Sequence, residues 1–310
     1  MEGIIVKSTG SNYLIKLNNG EIINAKLRGK IKTFGLKSTN PVVVGDKVKV
    51  EKQNNDYLIT SIFDRKNYIC RKSVNLSKRL HIIAANIDQC LLMVSFKNPK
   101  THISFIDRFL VAAESFRIPT VIGINKIDLY SEEDNNEMNE FIDVYSKIGY
   151  KCLPFSISKK TNIDSLKQEL NNKTTLVNGN SGVGKSSLIK LLMPDIDIKI
   201  SEISDYHLQG KHTTTFAEMY SINNNTNIID TPGIKAFGLF DIDKKVLSHY
   251  FPEMRKLLNE CKFHNCLHLN EPNCAVKNAV ENGEIALSRY ESYVAMYFED
   301  ENENYRGLNY

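Results

Sequence analysis

The sequence predicts a multi-domain chain: an N-terminal β-barrel, a central α/β phosphate-loop domain and a mostly α C-terminal domain. Three observations carry this expectation. Short β-like runs separated by turn signals fill residues 3–62. Between residues 81 and 240, apolar runs suited to buried parallel strands alternate with stretches of helical spacing. Near the C-terminus, Cys261, Cys266, His268 and Cys274 crowd one short stretch between helical segments.

Size and composition set the frame. A chain of 310 residues, 42% hydrophobic and 25% charged, holds two or three soluble globular domains. No apolar run reaches the ~20 residues that span a bilayer. The segment Met1–Ser8 lacks a signal peptide's basic start and long apolar centre. A cytoplasmic protein with no membrane partner is therefore expected. Disulfides are rare in that compartment, so the six cysteines read as thiols or metal ligands. Charge is unevenly spread. Residues 1–66 hold twelve Lys/Arg against six Asp/Glu, while the whole chain nets only +4. Basic charge concentrated in one part suits a polyanion such as RNA.

Residues 1–68 are expected to form the barrel. Its strands are Gly3–Lys7, Tyr13–Leu17, Ile22–Ala25, Lys47–Glu51 and Tyr57–Ile62. The OB-fold is the common five-stranded choice, and such barrels bind single-stranded nucleic acid through basic grooves and aromatic platforms. Lys26, Arg28, Lys30, Lys32 and Lys37 are candidate phosphate contacts, and Tyr13, Phe34 and Tyr57 are possible stacking residues. Residues 69–80 read as a basic linker, part of a run from Arg65 to Arg79 that has six basic residues and no acid.

Residues 81–240 are expected to form the α/β domain. Gly179-Asn180-Ser181-Gly182-Val183-Gly184-Lys185-Ser186 matches Gly-x4-Gly-Lys-Ser, after an apolar strand and before a helix that Ser187 continues. Glycines let backbone N–H groups converge on phosphate oxygens, and the helix N-terminus adds partial positive charge. Lys185 would reach the β- and γ-phosphates, and the Ser186 hydroxyl would bind magnesium. Asn125-Lys126-Ile127-Asp128 then selects the base. This tetrad ends the strand Thr120–Ile124, at the strand end where α/β sheets bind ligands. Asp128 can accept from the N1–H and 2-amino group of guanine, donors that adenine lacks. Asn125 supports the loop, and Lys126 packs its stem along the base. Ser156-Ile157-Ser158 is placed like the short Ser-Ala-x turn that offers backbone N–H to guanine O6 in GTPases.

Two further motifs complete a switch. Gly210-Lys211-His212-Thr213-Thr214-Thr215 lies in a polar stretch, where a threonine would bind magnesium and sense the γ-phosphate. Thr214 is favoured, with Thr213 and Thr215 as alternatives. Asp230-Thr231-Pro232-Gly233 matches Asp-x-x-Gly: Asp230 would hold a magnesium-bound water and the Gly233 N–H the γ-phosphate. Ras-like enzymes place a water-orienting Gln after that glycine. Here the residue is Ile234, which cannot orient water, and His212 is the nearest candidate by sequence. The usual order starts with the phosphate loop and ends with Asn-Lys-x-Asp. Here Asn125–Asp128 comes first and Asp230–Gly233 last, so the P-loop GTPase domain is circularly permuted. The second switch then leads straight into the C-terminal part.

Residues 241–310 are expected to be helical and zinc-binding. Cys261-x4-Cys266-x-His268-x5-Cys274 offers three thiolates and one imidazole, the donor set of a closed structural zinc site. His264 is a rival ligand. Segments Lys244–Asn259 and Ala275–Phe298 read as helices.

Together the basic barrel, the permuted motifs, Gly210–Thr215, the Cys/His cluster, Ala84–Gln89 and Asp107-Arg108-Phe109-Leu110 resemble the bacterial ribosome small subunit-dependent GTPase A family. The resemblance spans nearly the whole chain. It implies a GTPase acting late in small-subunit maturation, binding GTP/GDP and rRNA, and stimulated by the subunit. It also implies that His212 assists hydrolysis. Lys211 departs from the Arg or Gln usual there. A monomer is expected. The rival reading is an RNA-binding assembly factor in which nucleotide sets conformation and turnover is incidental, and Ile234 favours it. A third, a P-loop kinase, predicts ATP use.

Overall fold

The computed structural model describes residues 1–29, 40–54, 56–72, 80–194, 217–231 and 242–299. The first unit is built from β1 (Glu2–Ser8), β2 (Asn12–Leu17), β3 (Ile22–Leu27), β4 (Lys47–Gln53) and β5 (Asp56–Ile62). Alternation decides what each strand buries. Tyr13, Ile15 and Leu17 of β2 point inward with Val48 and Val50 of β4, while Lys47 and Lys49 point out. The strands run in the order β1-β2-β3-β5-β4, and β1 also pairs with β4, so the sheet closes into the expected five-stranded barrel.

The chain does not then relax into a linker. β6 (Tyr68–Lys72) pairs antiparallel with β7 (Leu80–Ala85), and Ile69 is buried. Residues 69–80, expected as a linker, thus begin and end in strand. Ile69 and Cys70 belong to packed clusters, which the flanking basic residues mask in the sequence. Arg65 and Lys66 are also engaged internally. Arg65 forks onto the buried Asp46 carboxylate at 2.7 and 2.8 Å, and Lys66 meets Asp88 at 2.8 Å. Part of the basic run therefore ties the barrel to the next domain.

Gly45 sits at that joint with φ +89, and a Cβ there would overlap the Ala85 carbonyl oxygen. Asn86 Nδ2 donates to the Gly45 carbonyl at 2.8 Å. Gly45→Ala is expected to lose at least about 1–3 kcal/mol of stability, read as a lowered urea midpoint.

The central sheet has the order β10-β9-β8-β11-β13-β12. Its strands are β8 (Gln89–Val94), β9 (Thr120–Ile124), β10 (Lys151–Pro154), β11 (Thr174–Gly179), β12 (Glu218–Ser221) and β13 (Asn227–Asp230). All pairings are parallel except that of β12 with β13. Both faces are covered. Cys90, Leu92 and Val94 of β8 join the core beneath α1 (Ile103–Ser115) and α2 (Glu132–Ile148). Leu91 and Met93 join the core beneath α3 (Ile163–Leu170) and α4 (Lys185–Leu192). The continuous apolar run of β8 follows from that two-sided burial. α2 starts at Glu132, where Ser131 and Asp134 form a capping box.

β12 is a strand that the sequence reading did not assign. It is held by β13 on one side and by a single register pair on the other, Lys7↔Glu218. Lys7 Nζ lies 3.0 Å from Glu218 Oε2, so barrel and central sheet run on as one.

Both expected C-terminal helices are interrupted. Lys244–Tyr250 is a tight 3-10 turn run ending before Pro252, which opens the short helix Pro252–Arg255. The second predicted helix splits into Ala275–Glu281 and Leu287–Phe298, with the chain doubling back as Glu284 N donates to Ala279 O. These pieces enclose a core of Leu247, Phe251, Met254, Val276 and Tyr293 that Val111 of α1 completes. Among the described residues, no helix is long and apolar enough to cross a membrane.

Candidate nucleotide and metal sites

The parallel strands deliver their chemistry to one end of the sheet. Asn125 follows β9, β11 ends in Gly179 and β13 in Asp230, and Ser156 lies just beyond β10. Asn125 joins two of these loops. Its Nδ2 donates to Val183 O at 2.9 Å, and its Oδ1 accepts from Ile157 N at 3.2 Å. Gly184, with φ +107, has no room for a Cβ, which would lie 2.5 Å from Asn125 Nδ2. Lys126 adopts a left-handed conformation (φ 68) and its Nζ donates to Gly182 O at 2.8 Å and to Asn98 O. The phosphate loop and the base-selecting loop are therefore cross-braced.

Asp128 is exposed, and its carboxylate accepts from Ser156 Oγ at 2.5 Å and Ser158 Oγ at 2.8 Å. These bonds, Ser156's first, hold its carboxyl below the usual carboxylate range, so it is an ionised acceptor at neutral pH. Within the Ser156–Ser158 turn, the Ile157 N–H donates to Asn125 Oδ1.

Asn180, Ser181 and Val183 lie in the loop after β11, and Ser186 and Ser187 in the first turn of α4. Lys185 Nζ donates to Gly179 O at 2.6 Å and Asn180 O at 2.9 Å, folded over the curve of its own loop. Burial lowers its pKa, against the attraction of Asp230. Burial raises that of Asp230, against Lys185. Asp230 Oδ1 and Thr231 Oγ1 are buried without a hydrogen-bond partner among the described residues. Orphaned oxygens of this kind beside a lysine and a phosphate loop fit a hydrated divalent cation. His212, Thr213, Thr214, Thr215, Gly233 and Ile234 lie outside the described residues.

A second cluster forms in the C-terminal domain. The ligand atoms of Cys261, Cys266, His268 and Cys274 all lie within 4.8 Å of one another. His268 Nδ1 is 3.6 Å from Cys261 Sγ and 3.3 Å from Cys274 Sγ. The rival His264 is exposed and outside the cluster. Burial pushes the Cys266 thiol up to about 12 and raises Cys274, while it lowers His268 and keeps the imidazole neutral. A bound cation would reverse the preference of the thiols, since metal ligation requires thiolates. The loop is held from outside: Tyr290 and Tyr293 hydroxyls donate to His268 O and Leu267 O, at 2.7 and 2.6 Å. The donor set and spacing fit a tetrahedral metal ion.

Residues 62–240 match the RsgA GTPase family, and residues 2–57 match the RsgA N-terminal domain. The chain belongs to the RsgA GTPase family. It is a GTP-hydrolysing enzyme. A small ribosomal subunit biogenesis GTPase RsgA of Bacteroides fragilis (strain YCH46) is 47% identical over 307 residues, 99% of each chain. Its counterpart in Cytophaga hutchinsonii is 52% identical over 302 residues, 96% of this chain and 98% of that one. Among solved structures, YjeQ from Thermotoga maritima superposes with a TM-score of 0.77 at 35% identity, covering 96% of this chain and 97% of that one. YloQ, described as a circularly permuted GTPase, has a TM-score of 0.72 at 29% identity, covering 97% and 95%. The permuted motif order and the RsgA sheet therefore go together.

Within this RsgA GTPase, two features were missed by sequence reasoning. Ser158 donates to Asp128, a contact that only the folded turn reveals. Arg289 is fully buried between Asp107 and Glu253. A charge on the same helical face as Tyr293 and Met296 was its legible signal. The aromatic platform also changes. Tyr13 is a core residue whose hydroxyl donates to Gly10 O at 3.0 Å, and Tyr57 is only half-buried under Lys52. Tyr13 is lost to the core because its position on β2 faces inward. Phe34, Lys30, Lys32 and Lys37 lie outside the described residues.

Proposed function

We propose that this GTPase couples GTP hydrolysis to late maturation of the small ribosomal subunit, with the barrel holding rRNA and the subunit stimulating turnover. The observation that carries this is the bracing of the base-selecting loop against the phosphate loop through Asn125, which makes one nucleotide site from two distant motifs. The relatives' name for small-subunit biogenesis supports the partner. Exposed Lys26, Lys47, Lys49 and Lys52 on the barrel support a phosphate-rich ligand.

In this reading Asp128 accepts from guanine, and the backbone of Gly179–Ser186 and Lys185 cradle the phosphates. Lys185 exchanges its carbonyl partners for phosphate oxygens as nucleotide enters. Ser186, Thr214 and, through water, Asp230 hold magnesium, which supplies charge neutralisation at the β- and γ-oxygens when bound. His212 positions the attacking water, because Ile234 cannot. Cys261, Cys266, His268 and Cys274 hold one structural zinc ion. The protein acts in the cytoplasm as a monomer.

Single-turnover hydrolysis with and without small subunits tests the reading. Subunits are expected to raise the rate strongly, and His212→Ala to abolish the rise while GTP still binds. An unchanged rate with altered subunit affinity alone would instead favour a nucleotide-gated binding factor. Asp128→Asn should weaken GTP binding roughly 10- to 100-fold, the size of losing hydrogen bonds to a charged acceptor. Equal ATP and GTP affinity in the unaltered protein would overturn the guanine assignment.

A further inference from the structure

We propose that Ser158 is a positioning residue for guanine selection: together with Ser156 it fixes both oxygens of Asp128 in the orientation that a guanine edge needs. This rests on the reading of Asp128 as the base acceptor. Asp128 lies exposed just beyond a strand end, so burial does little to fix its carboxylate. Hydroxyls do that work. Ser156 Oγ donates to Oδ1 at 2.5 Å and Ser158 Oγ to Oδ2 at 2.8 Å, and the two hydroxyl oxygens are 3.1 Å apart.

The anchor of this triangle is rigid. Ser156 is fully buried, its N–H donates to Thr161 O at 3.1 Å and its carbonyl accepts from Thr161 N at 3.0 Å. Its Oγ also accepts from Lys159 N at 3.0 Å. Ser158 is exposed and sits two residues on in the same turn. Ser156 alone would hold one oxygen and leave the carboxylate free to swing about that bond. The second donor removes the swing.

A carboxylate has about four lone-pair sites. The serines take one on each oxygen, which leaves one on each for the N1–H and 2-amino donors of guanine. Two-point recognition needs both oxygens in place at once, whereas a base offering one donor tolerates rotation. Hypoxanthine, the base of inosine nucleotides, keeps N1–H and lacks the 2-amino group. Ser158 should therefore matter more for guanine than for hypoxanthine.

The test is the affinity of the full chain for GDP and IDP, by displacement of fluorescent GDP. Ser158→Ala is expected to weaken GDP about 2- to 10-fold, the range for ordering one rotamer-rich side chain. It should weaken IDP less, so that the GDP/IDP affinity ratio falls. Ser158→Thr keeps the hydroxyl and should keep the ratio. A turn merely loosened by Ser158→Ala would lower both affinities equally, and an unchanged ratio would overturn the proposal. Asp128→Asn in the same assay separates the two claims. If it leaves the ratio untouched, the base-acceptor reading itself fails. If it collapses the ratio while Ser158→Ala does not, only the role of Ser158 fails.

Discussion

Replacing Cys274 by Ser, or stripping the metal with a strong chelator, is expected to unfold the metal loop and loosen the C-terminal domain. Four ligand atoms gathered within 4.8 Å have no reason to stay together without a cation. Buried thiols repel polar neighbours less than thiolates do, but they also bond weakly. Single hydrogen bonds also hold the loop: the Glu271 carboxylate accepts from Leu267 N and Leu269 N, and the Tyr290 and Tyr293 hydroxyls donate to His268 O and Leu267 O. His268 is itself in a left-handed conformation, φ 59, a costly one for a β-carbon-bearing residue. Apparent zinc affinities in small structural sites are worth about 10–16 kcal/mol, so a bound zinc ion would outweigh any single hydrogen bond of the loop. Cys274 also sits at the position just before the helix Ala275–Glu281 and lies in the C-terminal core, so its loss should spread. Elemental analysis should find one zinc per chain in the native protein and none in Cys274→Ser. Limited proteolysis should open residues 257–275 first. Cys152→Ser is the control: Cys152 lies on β10, outside the cluster, and its loss should leave zinc content unchanged. Native protein that holds no zinc and resists the protease would sink the assignment. GDP binding should survive metal loss, because the nucleotide loops sit on other strands.

Legibility followed locality. The phosphate loop and Asn125–Asp128 were readable because their chemistry depends on fixed spacing within a few residues. The barrel strands were readable because inward and outward positions alternate, as in Val48 and Val50 against Lys47 and Lys49. What escaped depends on partners far along the chain. β12 is short and polar, and it becomes a strand only because β13 and Lys7 flank it. β6 hides Ile69 and Cys70 among basic residues, and its partner strand begins beyond residues 73–79. Tyr13 carries the same apolar ring whether it stacks on a base or fills a barrel, so only its facing on β2 decides. The C-terminal helices were joined in reading because amphipathic spacing continues on both sides of Pro252 and of the turn before Ile285. Propensity at those few residues broke what periodicity had linked.

Arg289→Met should be the most destabilising substitution outside the metal ligands, with a loss of about 3–5 kcal/mol. The guanidinium is fully buried on the helix Leu287–Phe298. It donates through Nη1 to Asp107 Oδ1 at 2.5 Å and through Nε to Glu253 Oε1 at 2.7 Å. It also lies over the rings of Phe251 and Tyr145, 4.7 and 5.5 Å from their centroids. One side chain thus holds α1, α2, the Pro252–Arg255 helix and the last helix to a common point. Removing it strands two carboxylates. Asp107 is fully buried, and among the described residues its Oδ2 already lacks a hydrogen-bond partner and only the Tyr145 hydroxyl would remain on Oδ1. The magnitude therefore comes from leaving charge buried more than from losing the pair. That distinction is measurable. Adding Asp107→Asn and Glu253→Gln to Arg289→Met removes the stranded charges and should recover part of the loss, a coupling that independent sites would not show. The chain has no tryptophan, so urea unfolding is best followed by far-ultraviolet circular dichroism with tyrosine emission as the second probe. A triple variant no more stable than Arg289→Met would mean that the cluster acts through packing alone. Recovery would instead identify this ion cluster as the electrostatic bolt between the GTPase sheet and the metal-bearing end, the two parts that the second switch connects.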